Sequence, residues 1–172
     1  EEFEITVSFP MAGAYSLSGV MTDRMLSGES YDQPFYFAYI LLSYLIAYPE
    51  IGTLEELALP EYADILWDLF DGYHSSGEIN AQLPSVPIEI LYPEVIQDFE
   101  ENDNHPLRDA LRLNDLFDWA PQSLTYLFHG EADELVPVEN SIIAYDYFIA
   151  NGSEQVHLEL MPPEAGGHAE AA

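Results

Sequence analysis

An acidic side chain in a predicted turn and a later histidine have the residue types of a proton-transfer pair. The segment FHGEADELVPVENS, residues 128–141, is typical of a strand end, a turn and a helix start, with Asp133 in the turn. His168 follows a Gly-Gly pair after a second predicted strand. A carboxylate that accepts an imidazole N–H fixes the ring tautomer and stabilises the imidazolium. Because each group follows a predicted parallel strand, one crossover apart, both are expected at one edge of a sheet.

By residue type alone, neither group stands out from its neighbours. Glu131 and Glu134 flank Asp133 in the same turn, and a lone acid or histidine on a loop is more often solvated than catalytic. The remaining four histidines are expected to be structural. His129 lies at a predicted strand end, His157 inside a strand, His74 in a loop and His105 at a helix start. The acidic run FEENDNHP lacks the glycine and the final glutamate of an EF-hand loop, so a capped turn is favoured over a calcium site.

The charge of the chain excludes several classes of partner. Its 172 residues carry 32 acidic side chains against three basic ones, all arginine, for a formal net charge of −29. Nothing in such a chain could neutralise phosphates, so no nucleic-acid partner is expected. The acidic excess resembles that of halophilic proteins, in which salt screens self-repulsion; a merely acidic surface is the alternative. The absence of cysteine excludes a disulfide framework, a thiol nucleophile and Cys-bound metals.

The predicted elements indicate an α/β fold with a mostly helical insertion. EITVSFPMAG, residues 4–13, is predicted as a short buried strand with its exit turn. The apolar run FYFAYILLSYLIAY would be about 21 Å long as a helix, against roughly 30 Å of hydrocarbon, so a helix buried on most sides is favoured over a transmembrane segment. LPEYADILWDLFDG is predicted as one amphipathic helix. From Gln122 onward the pattern is strand, helix, strand and then a loop.

The C-terminal third of the chain resembles an α/β-hydrolase. The resemblance is carried by HPLRDALRLNDLFDWAPQSLTYLFHGEADELVPVENS and by the final GGHAEAA, and it is closest to secreted lipases, esterases and prolyl-peptidase-like members. In that family the acid of a Ser-His-Asp triad follows the penultimate core strand and the base follows the last. The resemblance therefore implies that Asp133, selected by the frame G…D..VP, is the acid and that His168 is the base. It implies no cofactor and no metal.

The serine of such a triad is expected outside this sequence. The nucleophile elbow needs G-x-S-x-G, and in the nearest segment, GAYSLSG, Ser16 has Ala14 and Ser18 at the glycine positions. Since these hydrolases run Ser, acid, His along the chain, the serine and the usual oxyanion donors are expected upstream of residue 1. The chain is then the C-terminal part of a hydrolase with about three parallel strands, inactive by itself.

The resemblance also implies a division of the chain and a function. Residues 1–21 would be a core strand and its exit loop, residues 22–115 a helical lid, and residues 116–172 the core that carries the acid and the histidine. The implied activity is hydrolysis of a small ester or lipid through an acyl-enzyme. A prolyl-oligopeptidase-like peptidase remains open, as does a non-catalytic binding module. An exposed sheet edge would meet the missing N-terminal half or a second copy, and secretion or a periplasmic location is implied by the resemblance alone.

Overall fold

The structure, a computed structural model, describes residues 4–171 of the chain. These residues form two compact units, one containing the described residues up to Arg24 together with those from Asn114 onward, the other Met25–Leu113. The described residues contain the α-helices α1 (Thr22–Leu26), α2 (Phe35–Ala47), α3 (Leu54–Leu57), α4 (Pro60–Ala63), α5 (Leu66–Leu69), α6 (Ser76–Asn80), α7 (Pro93–Glu101), α8 (Pro106–Leu113), α9 (Glu139–Ala150) and α10 (His168–Ala171).

A three-stranded parallel sheet organises the first unit. In spatial order its strands are β1 (Val7–Ser8), β2 (Leu124–Gly130) and β3 (Val156–Met161). Val7 pairs with Leu124 and Thr125 pairs with Val156, so β2 is the central strand. The three parallel strands expected from the sequence are confirmed. Because β2 and β3 run in the same direction, the segments that follow them leave the sheet at the same edge.

Helix α9 packs on one face of this sheet and fixes the segment that joins it to β2. The buried cluster between them consists of Leu127, Ala144, Phe148 and Val156. Burial of a side chain as large as Phe148 stabilises the fold by about 1.5–3 kcal/mol. Four partly buried side chains pack against this cluster: Tyr15, Phe117, Tyr145 and Leu158. The turn from β2 to α9 is therefore anchored at both ends by core contacts.

The segment around β1 differs from the buried strand that its apolar residues predict. β1 has two residues, and Ile5, Phe9 and Met11 are 68%, 54% and 53% exposed. Phe9 stacks on Tyr126, with ring centroids 5.7 Å apart, on the sheet face opposite α9. Within residues 4–171, β1 is paired with β2 alone. A strand with one neighbour lacks the second flank that would bury it, so the prediction of burial was wrong for the described chain.

The helical unit also corrects two local predictions. The buried residues of α2, namely Ala38, Leu41, Leu42 and Leu45, lie on one face, while Tyr36, Tyr39 and Ile46 are exposed. The prediction that this helix is buried on most sides was therefore wrong, because uniform apolarity does not indicate which face packs. The single helix predicted for LPEYADILWDLFDG is divided into α4 and α5. Here the Ile65 N–H donates to the Tyr62 carbonyl three residues back, a 3₁₀ turn that interrupts the α-helical ladder.

Among the described residues, no single helix has both the length and the apolarity needed to span a membrane. The segments Phe35–Ala47 and Pro49–Leu57 together meet the requirements of length and composition. They are, however, bent by 106° relative to each other.

Candidate active site

Asp133 lies in the turn between β2 and α9, and its carboxylate is held by the backbone of that turn. Oδ1 accepts the N–H groups of Leu135, at 3.0 Å, and Val136, at 2.8 Å. The Asp133 N–H donates to the carbonyl of Gly130 at 3.2 Å. Aspartate favours such turns because its side chain can satisfy backbone donors two and three residues ahead. The result is a buried carboxylate, 1% exposed, at the carboxyl end of the central strand.

His168 is the first residue of α10, which begins soon after β3. A 3₁₀ turn, Pro163–Ala165, separates it from the strand, so the loop predicted here is partly helical. Gly166 has φ +104°, a conformation open to glycine and strained for other residues. The strand end, the short turn and this glycine thus bring the histidine back to the edge where β2 also ends.

The Asp133 carboxylate and the His168 ring meet at that edge. Oδ2 of Asp133 lies 2.7 Å from Nδ1 of His168. Since a carboxylate only accepts, Nδ1 donates, and Nε2 of the neutral ring carries the free lone pair. The His168 side chain is 29% exposed, and within residues 4–171 no hydrogen bond reaches its Nε2. Nε2 is therefore the atom that could take a proton from a hydroxyl arriving at this edge.

The carboxylate of this pair is more buried than those of two other histidine–aspartate pairs in the described part of the chain. His74 Nδ1 lies 3.0 Å from Asp71 Oδ1, and His105 Nε2 lies 3.7 Å from Asp98 Oδ2. The Asp71 and Asp98 side chains are 38% and 58% exposed, whereas that of the candidate acid is 1% exposed. Water competes for an exposed carboxylate and weakens its hold on a ring. The buried acid can fix its histidine in one orientation.

A second histidine contacts a serine and the same aspartate on the buried side of the Asp133–His168 pair. Nδ1 of His129 is 2.6 Å from Ser141 Oγ, and its Nε2 is 3.3 Å from Asp133 Oδ2. Both His129 and Ser141 are buried. Because a nucleophile must reach its substrate, Ser141 is not a candidate nucleophile. The contact between His129 and Asp133 was missed by sequence reasoning, and the four-residue spacing across the turn was the one available signal.

Glu134, a rival of Asp133 by sequence alone, contacts a different part of the same histidine. Its Oε2 accepts the backbone N–H of His168 at 3.0 Å. A Cβ atom at Gly167 would collide with this carboxylate, so the absence of a side chain there permits the close approach. Asp133 thus holds the ring and Glu134 holds the main chain. Sequence reasoning did not foresee the second contact.

The serines of GAYSLSG are engaged elsewhere. Ser16 Oγ accepts the N–H of Val20 at 3.3 Å, and Ser18 Oγ donates to Asp115 at 2.5 Å. Across residues 4–171, no serine is hydrogen-bonded to His168. The same stretch contains no group of three His, Asp or Glu residues that could hold a metal ion.

Solved esterase structures share this fold. The rice cell wall degrading esterase LipA from Xanthomonas oryzae matches with a TM-score of 0.86 and 27% identity, over 99% of this chain and 46% of that chain. This chain has the fold of the C-terminal half of an α/β-hydrolase. A ligand-bound form of LipA matches with a TM-score of 0.84 and 27% identity, over 100% of this chain and 46% of that chain.

A further solved structure matches at lower identity. It is a presumed hydrolase from Legionella pneumophila, with a TM-score of 0.86 and 23% identity, over 99% of this chain and 45% of that chain. The chain thus spans somewhat less than half of the length of these solved structures. No family model and no curated protein matches the sequence. The resemblance inferred from the C-terminal third is confirmed by a match over the whole chain.

Proposed function

We propose that this chain is the C-terminal part of a serine esterase that acts through an acyl-enzyme. Asp133 orients His168, and His168 is the general base for a serine carried on polypeptide that precedes residue 1. The observation that supports the proposal most directly is the 2.7 Å contact between the buried Asp133 carboxylate and His168 Nδ1. It leaves Nε2, on a partly exposed ring, able to accept a proton.

The acylation half of the reaction then has two proton transfers through one atom. As the serine Oγ attacks the ester carbonyl carbon, its proton moves to Nε2 of His168 and the carbonyl oxygen becomes an oxyanion. His168 then gives that proton to the leaving alcohol oxygen as its bond to carbon breaks. In deacylation, water attacks the acyl carbonyl carbon and gives a proton to Nε2, and His168 returns that proton to the serine Oγ as its bond to carbon breaks and the carboxylic acid is released. Asp133 remains a carboxylate throughout and stabilises the imidazolium.

An ester is the favoured substrate class because LipA, which matches over the whole chain, is an esterase by its description. The peptidase alternative uses the same three groups, but the match to LipA favours the ester. A panel of p-nitrophenyl esters and proline-containing peptides separates the two. Hydrolysis of the peptides alone would move the proposal to the peptidase.

The experiment compares variants of the intact natural protein in ester hydrolysis and in labelling by a fluorophosphonate. His168→Ala and Asp133→Asn are expected to lower kcat by about 10⁴-fold, since the base is lost in one and left in the wrong tautomer in the other. His74→Ala is the matched control, because it removes a histidine that also contacts an aspartate, 3.0 Å away, but an exposed one. It should keep full activity.

Two outcomes would contradict the proposal. Wild-type-like hydrolysis by His168→Ala would show that this histidine is not the base. A natural protein that hydrolyses neither substrate class and takes no fluorophosphonate would favour a binding module instead.

A further inference from the structure

His129 is a fully buried histidine whose ring contacts three residues of the first unit, one in a helix and two in a turn. It is the second-last residue of β2 and lies on the face that α9 covers. Its Nδ1 is 2.6 Å from Ser141 Oγ, in α9, and its Nε2 is 2.8 Å from the carbonyl oxygen of Val136. The same Nε2 is 3.3 Å from Oδ2 of Asp133. One ring therefore joins the strand, the helix and the turn that carries the proposed acid.

The chemistry of these partners determines which ring nitrogen donates. The carbonyl of Val136 only accepts, and so does a carboxylate, so Nε2 must carry a proton. The Ser141 hydroxyl can donate to Nδ1, which then accepts as the second nitrogen of a neutral ring. Ser141 thus favours the tautomer that presents Nε2–H to the turn.

That N–H donates to the Val136 carbonyl, and Nε2 also lies 3.3 Å from Oδ2 of Asp133, the oxygen that accepts His168 Nδ1. On the other side of the carboxylate, the Val136 N–H donates to Oδ1 at 2.8 Å. His129 therefore contacts the carboxylate directly and also holds the residue that grips its second oxygen. The terminal torsion of aspartate is broad and two-fold, so the position of the Val136 N–H on Oδ1 helps to set the direction in which Oδ2 faces.

We infer that His129 is a positioning residue for the proton transfer. Its Nε2–H, fixed by Ser141, orients the Asp133 carboxylate so that Oδ2 faces His168. The inference rests on the proposed function, because orientation matters to turnover only if Asp133 and His168 act as acid and base. A buried histidine that merely completes the core would contribute to stability and leave the turnover of folded molecules unchanged.

The test replaces the ring in two ways in the intact natural protein. His129→Phe keeps an aromatic ring but removes all three polar contacts. His129→Gln keeps an amide N–H close to the position of Nε2. For His129→Phe, kcat per fluorophosphonate-titrated site is expected to fall by about 10-fold to 100-fold, since a displacement of about 1 Å can cost about 100-fold. His129→Gln should recover most of the loss, and KM should stay constant because the buried ring does not touch substrate.

His105→Phe is the matched control, because it also removes a buried histidine but belongs to the helical unit. It should lower the unfolding temperature without changing kcat per site. The proton resonance of the His168 Nδ1–H provides a second reading. It is expected to shift in His129→Phe, in which the acid is reoriented, and to stay unchanged in the control.

The outcomes separate this inference from the function beneath it. Unchanged kcat per site in His129→Phe, with His168→Ala inactive, would overturn the inference and leave the esterase proposal standing. If His129→Phe does not fold, Ser141→Ala takes its place, because it keeps the ring and removes the donor to Nδ1. A several-fold loss of kcat at constant KM supports the inference, and full activity overturns it. Wild-type activity of His168→Ala would instead overturn the proposed function.

Discussion

The backbone N–H of His168 donates to the carboxylate of Glu134 at 3.0 Å, across 34 residues of sequence. The neighbouring residue, Asp133, accepts the ring of the same histidine at 2.7 Å. Two consecutive carboxylates thus hold the main chain and the side chain of one residue. The turn after β2 therefore fixes the position of the ring along the sheet edge as well as its orientation.

The first prediction concerns the glycine that permits this arrangement. In Gly167→Ala the new Cβ would collide with the Glu134 carboxylate, which must move and release the His168 N–H. We expect kcat of the intact protein to fall about 10-fold through misplacement of the ring. Ester kinetics and thermal unfolding measure it. Gly77→Ala is the control, because a Cβ at Gly77 meets nothing within 4 Å.

A double-mutant cycle sharpens this test. In a Glu134→Ala background the collision no longer exists, so adding Gly167→Ala should cost little more. Strictly additive losses would contradict the contact as the cause.

The second prediction is a pH dependence of stability that arises from His105. Burial is the largest cause that lowers the pKa of His105 below its ordinary 6.5; the Asp98 charge opposes it and Arg108 adds to it. The unfolded chain then binds more protons than the folded one below pH 6.5, so this contribution is complete above 6.5 and is lost as the pH falls through the lowered value. Urea unfolding at pH values from about 5 to about 8, on both sides of the ordinary pKa of about 6.5, measures it.

His105→Asn is the informative variant. His105 Nδ1 accepts the N–H of Leu107 at the start of α8, at 3.1 Å, and the amide oxygen of asparagine can also accept it. The variant therefore keeps the cap and removes the titration. We expect wild type to lose more stability than the variant on acidification. Equal losses would contradict a lowered pKa.

The third prediction concerns the exposed residues beside β1. An apolar strand edge pairs readily with another chain, so we expect the 172-residue chain by itself to self-associate. Phe9→Glu should weaken this association by placing like charges at the contact. Tyr73→Glu is the matched control, since Tyr73 is 92% exposed and lies in the other unit. Sedimentation velocity measures the association, and a monomeric wild-type chain would contradict it.

The fourth prediction follows from the net charge of −29. The free energy of unfolding should rise with NaCl, because the Debye length falls from about 30 Å at 0.01 M to about 3 Å at 1 M and self-repulsion is screened. Urea denaturation at increasing salt measures the effect. Screening levels off in the first few tenths molar, whereas exclusion of salt from the surface increases steadily. A purely steady rise, or no rise, would contradict a role for self-repulsion.

The strands and helices of the C-terminal part could be predicted from the sequence because their signals are local. The residue pattern from Gln122 onward predicted β2, α9 and β3 in that order. The same locality explains the misses. The 3₁₀ turn at Ile65 and the exposed side chains around β1 depend on packing partners that no short window contains.

The sequence by itself determined the net charge, the parallel crossover and the two strand exits where Asp133 and His168 lie. Only the tertiary structure decided that Asp133 is the buried acid, that Glu134 holds the backbone of His168 and that His129 contacts the acid from beneath. The physical reason is distance along the chain. These contacts join residues up to 35 positions apart, and their geometry is fixed by the register of β2 on β3 and the packing of α9 on the sheet.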